Sequence, residues 1–90
     1  MRIKDDGYSL RKAAGMYWLL DMKQVGIPYK RPMSLNEIGA QIWDLLEREY
    51  TLTAICREIA AEYSAEEEEI QKDVLEFINQ LKAYGVNIEE

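Results

Sequence analysis

Histidine is missing from this chain altogether, and cysteine occurs once, at position 56. The first absence removes the commonest general base and the commonest metal ligand. The second excludes an internal disulfide and any thiolate metal site built by the chain alone, so a reducing, cytoplasmic setting fits best. Long apolar runs are also missing: none approaches the roughly 18 residues that a membrane span needs. The polar start Met1, Arg2, Ile3, Lys4, Asp5, Asp6 has no signal-peptide core. There is no glycine-rich phosphate loop, no nucleophile elbow and no nameable set of nucleophile, base and oxyanion donors. The expectation is a protein without metal or cofactor that is not an enzyme.

Basic residues are scarce. Eleven Lys and Arg face 17 Asp and Glu, for a net charge of −6 and an isoelectric point near 4.7. Neutralisation of phosphates by Lys and Arg supplies most non-specific nucleic-acid affinity, so a chain without a basic stripe is a poor nucleic-acid binder. What is present is apolar and patterned. The 48% hydrophobic and 31% charged content reads as globular, and 90 residues suit one domain over residues 1–90.

The first third reads as strand. Tyr8 to Ala13 and Met16 to Met22 flank a turn near Ala14 and Gly15, which predicts a hairpin. Lys23 to Pro28 reads as loop, and residues 29–33 as a third, short strand. Pro32 has no N–H to donate and so belongs on a sheet edge.

The remainder reads as helix. Ser34, Leu35, Asn36 and Glu37 have capping-box spacing, with Asn36 a competing N-cap. Ile38, Ile42, Leu45 and Leu46 then recur at helical spacing through about Glu49. Thr51 is the expected N-cap of a second helix with the stripe Leu52, Ile55, Cys56, Ile59, Ala60 and Tyr63. A second capping-box pattern at Ser64 to Glu67 opens a third helix, whose core face is expected to be Ile70, Val74, Phe77 and Leu81, with Gly85 as its stop. Three short N-terminal strands followed by a three-helix bundle give an α+β, winged helix-turn-helix-like fold.

The run Leu35, Asn36, Glu37, Ile38, Gly39, Ala40, Gln41, Ile42, Trp43 resembles the signature helix of the PqqD-like family. So do the earlier Leu10, Arg11 and Gly15 to Leu20, and the later Asp73 to Leu81 ending at Gly85; the similarity covers about residues 8–86. The family consists of recognition elements for ribosomally made, post-translationally modified peptides. The resemblance implies that the leader segment of a precursor peptide adds as a strand beside the third strand, under the third helix. It further implies presentation to a modifying enzyme such as a radical-SAM maturase. The chain lacks the early basic-aromatic pattern of members dedicated to pyrroloquinoline quinone synthesis, which points to a different peptide.

Strand addition needs an unpaired edge, with pockets for side chains to give specificity. The expected edge is Tyr29, Lys30, Arg31, Pro32 and Met33, where the two cations either protect the edge or meet acidic leader residues. On the third helix Gln71, Leu75, Ile78 and Lys82 form a strip beside the core residue Val74, on the side away from Asp73 and Tyr84. Leu75 and Ile78 are the expected groove wall; a leader side chain seated there would bury about 100 Å², worth about 2–3 kcal/mol. Trp43 and Cys56 read as core, and Gly39 as a site of close helix packing. The competing use of such a fold is a DNA-binding regulator, with Gln71, Lys72, Glu76 and Asn79 as reading face. Glu66 to Glu69 then stand where phosphates should sit. An open edge can also pair two copies into a homodimer.

Overall fold

The computed structural model describes residues 1–4, 7–23 and 31–89. Its elements run β1 (Arg2–Ile3), β2 (Tyr8–Ala13), β3 (Met16–Asp21), β4 (Met33–Leu35), α1 (Glu37–Glu47), α2 (Leu52–Tyr63), α3 (Glu67–Tyr84) and β5 (Ile88–Glu89). The main sheet is antiparallel with order β2-β3-β4, and the three helices follow it, so the α+β architecture holds.

The hairpin turns where its sequence requires. Ala14 (φ 53°) and Gly15 (φ 78°) are both left-handed, as a two-residue type I′ turn demands, and Ala13 pairs with Met16 across it. The third strand lies further along the chain than expected. It is Met33–Leu35, paired to Leu19 and Tyr17 at its two ends. Arg31 and Pro32 precede it, and Tyr29 and Lys30 lie outside the described residues. The correction has a simple cause: Pro32 cannot donate to a ladder, so pairing begins one residue after it.

The sheet's inner face carries Tyr8, Leu10, Tyr17, Leu19, Met33 and Leu35, and these pack into one core with the helices. Leu19, Ile42, Trp43, Leu46, Ile55, Val74 and Leu81 lie at its centre, each 1% exposed or less. Trp43 and Cys56 are both buried core residues. Asn36, not Ser34, caps α1, its Oδ1 accepting from the Gly39 N–H at 2.7 Å. Thr51 caps α2, its hydroxyl accepting from the Ala54 N–H. Ser64 does not open α3: it closes α2 in the left-handed conformation, and α3 starts at an uncapped Glu66 with Glu67, Glu68 and Glu69 in its first turn. Three carboxylates at the positive end of a helix compensate for the missing cap. Gly85 closes α3 as expected.

A small second sheet joins the two ends of the described chain. Arg2 pairs with Glu89 and Ile3 with Ile88, and the Arg2 guanidinium lies 3.4 Å from the Glu89 carboxylate.

Candidate functional site

The edge of the main sheet at β4 is the first element of the site. Among the described residues no further strand lies beyond it. The hairpin fixes which of its backbone groups are free. In a two-residue hairpin the closing pair, here Ala13 and Met16, exchanges both its hydrogen bonds. Even-numbered residues of β3 therefore turn their backbone groups toward β2, and the Met22 N–H donating to the Gly7 carbonyl continues that pattern. Odd-numbered Tyr17 and Leu19 turn theirs toward β4, where they meet Leu35 and Met33. That leaves Ser34 with both N–H and C=O directed outward, and Pro32 with a carbonyl only.

Helix α3 flanks this edge. The Tyr84 hydroxyl donates to the Arg31 carbonyl just before β4. At the other end the Phe77 ring lies so close to Gly39 that a Cβ there would sit 3.0 Å from it. These two contacts set α3 antiparallel to the stretch from Arg31 to Gly39. The sequence-expected role of Gly39 in close packing holds. Tyr84 is itself held from the side, its ring 6.0 Å from that of Tyr8.

The helix flank beside the edge is therefore Asp73, Phe77, Gln80 and Tyr84. A hollow of about 190 Å³ lies there, lined by Asn36, Ile38, Gly39 and Ile42 of the α1 region and by Asp73, Glu76, Phe77 and Gln80 of α3. Its floor is apolar and its rim carries two carboxylates.

The residues singled out from sequence on α3 fall elsewhere. Gln71 lines a separate hollow with Leu52, Thr53 and Cys56 of α2, so its strip faces α2. Ile78 is 2% exposed and belongs to the core stripe with Ile70, Val74 and Leu81. Phe77, expected in that stripe, is half-buried. Val74 is fully buried. Leu75 stands 40% exposed and Lys82 is exposed, both on the flank away from β4. Of the expected set, Arg31, Pro32 and Met33 lie at the edge, while Gln71, Leu75 and Lys82 are not brought to it. The cause is a shared apolar arc: Phe77 and Ile78 are about 100° apart on the helix, and α2 covers the Ile78 side. The signal that could have separated them is Gly39, a position on α1 with no side chain, where an aromatic ring can pack directly against the backbone.

Among the described residues, no group of three His, Cys, Asp or Glu side chains converges as a metal site would, and no helix is long and apolar enough to cross a membrane.

An open three-residue edge beside a half-apolar helical flank defines a small winged helix-turn-helix-like domain suited to holding an extended chain. The sequence profile for coenzyme PQQ synthesis protein D (PqqD) matches residues 13–86, and the chain belongs to the PqqD family. No curated protein matches it. Among solved structures it is similar to TbiB1 in complex with the TbiA(β) leader peptide, at 25% identity and a TM-score of 0.73, covering 92% of this chain and 90% of that one.

Proposed function

We propose that this protein binds the leader segment of a ribosomally synthesised precursor peptide by adding it as a strand to β4. It then presents the peptide to a modifying enzyme, such as a radical-SAM maturase, and performs no catalysis itself. The observation that carries this reading is the edge at Ser34, with both backbone groups outward and α3 alongside. The leader-bound state of the similar TbiB1 supports it. Family membership supports the partner class, and the shortage of cysteine suits a cytoplasmic setting.

Magnitudes say where the affinity comes from. A three-residue strand is about 10 Å long, and with the Pro32 carbonyl just before it the edge offers the guest at most three backbone hydrogen bonds, each worth about 0.5–1.5 kcal/mol net. Association costs at least that much in lost freedom. Side chains seated against Met33, Ile38, Phe77 and Tyr84 must supply the surplus, and with it the specificity. The charge on α3 opposes a DNA-reading role, since Glu67, Glu68 and Glu69 fill its first turn.

The test is an NMR titration with the leader of a precursor peptide sought among the genes neighbouring this one. The Ser34 amide and amides over residues 73–84 should move, while Leu75→Asp, on the far flank, leaves the affinity within about twofold. Undisturbed amides at Ser34 and along α3 would sink the reading. Co-purification with a co-encoded modifying enzyme tests the partner.

A further inference from the structure

The leader-binding reading leaves open what chemistry the edge selects, and the hollow between α1 and α3 bears on that. Met33 and Leu35 face inward with Leu19 and Tyr17. Cross-strand partners share a face, so guest residues opposite Met33 and Leu35 also point inward, two positions apart. The next inward guest residue lies two further, about 7 Å on. At that level the protein's own chain has left the sheet, because Asn36 caps α1 there. The guest side chain then meets the hollow lined by Ile38, Ile42, Phe77, Asp73 and Glu76.

Resting on the strand-addition reading, we infer that this hollow selects a lysine or arginine in the bound peptide, two positions beyond the apolar residue that faces Leu35. A long cationic side chain is the one kind that matches both parts of the hollow. Its methylene stem lies on the apolar floor while its head reaches the rim. Asp73 and Glu76 are one helical turn apart, so they present two acceptors on one side. Among the described residues neither is engaged in an ion pair, and no Lys or Arg lines the hollow. A purely apolar guest side chain would leave the carboxylates unmatched, and an acidic one would be repelled. The guest motif is thus two apolar residues and a cation at alternate positions. Whether the cation comes first or last in the peptide reads out whether the guest runs antiparallel or parallel to β4.

The experiment is a display selection of random 12-residue peptides on the full chain, with winners checked for movement of the Ser34 amide. Lys and Arg should be enriched at one position with the stated offset. Replacing that residue by Glu should weaken binding about fivefold or more, the ratio given by an exposed ion pair of about 1 kcal/mol. The double variant Asp73→Asn, Glu76→Gln keeps both surface positions polar and isosteric, and circular dichroism confirms its fold. It should retain the apolar preference and lose the cationic one. Binders with no basic preference, or a preference unchanged in the double variant, overturn the inference while leaving strand addition intact. Failure to find any peptide that moves the Ser34 amide removes both.

Discussion

At the scale of single residues, Asn36 connects the sheet edge to the helix that follows. Its side chain satisfies the Gly39 N–H, and its backbone ends the strand. Asn36→Ala should cost about 1 kcal/mol, which for a domain of this size lowers Tm by about 4–8 °C in thermal denaturation. Asn36→Asp, an equally good cap at the positive end of a helix, should hold the wild-type value. Cys56 permits a second prediction. Burial, and then the nearby Glu67 carboxylate, raise its thiol above the ordinary value of 9.0. In the unfolded chain the thiol loses its proton from about pH 9 upward, whereas the folded protein holds it. The stabilising contribution is complete below the unfolded value and is lost as pH climbs through the folded one. Urea midpoints at pH 8 and pH 10.5 should fall further in the wild type than in Cys56→Ala, which has nothing to titrate there. Equal falls in the two proteins would show that Cys56 takes no part in the alkaline loss.

At the scale of elements, much of the fold is legible because local chemistry and packing agree. Ala14 and Gly15 place the turn, Thr51 places the start of α2, and apolar residues at helical spacing mark three helices. The failures share one physical origin. The pairing of β1 with β5 joins residues from opposite ends of the described chain through two residues each, too few to leave a periodic trace. The orientation of α3 depended on which of two adjacent apolar residues, Phe77 or Ile78, met α2, and only tertiary packing decides that. As a result, the expected edge strand at residues 29–33 shares only Met33 with the observed β4, and the expected strip Gln71, Leu75 and Lys82 lies on the flank of α3 away from that strand. The free backbone groups at Ser34 follow from the turn alone and yield a prediction at this scale. Ser34→Pro removes an outward N–H that β3 does not use, so the ladder to β3 survives, as edge positions tolerate proline. Leader affinity measured by fluorescence anisotropy should drop tenfold or more with little change in circular dichroism. Unchanged affinity would mean that the guest takes no backbone hydrogen bond there.

At the scale of the whole molecule, stability itself reports on the binding mode. A chain of 90 residues is expected to hold only about 5–13 kcal/mol against unfolding. Its main sheet ends in the three-residue strand β4, so the edge should be among the first parts to open. A leader that completes this sheet binds the native state and not the unfolded one. At a concentration 100 times its Kd it should therefore add about 2.7 kcal/mol, a rise in Tm of roughly 10–20 °C. Hydrogen exchange should slow most at Met33, Ser34 and Leu35 and least in α2, which lies away from the edge. A DNA duplex at the same concentration in low salt should leave Tm unchanged, since a chain of charge −6 gains nothing from phosphates. The outcome that would count against an added strand is a saturating leader that shifts Tm by less than about 2 °C. Such a leader would bind folded and unfolded chains alike, through side-chain contacts that do not require the edge of β4 to exist.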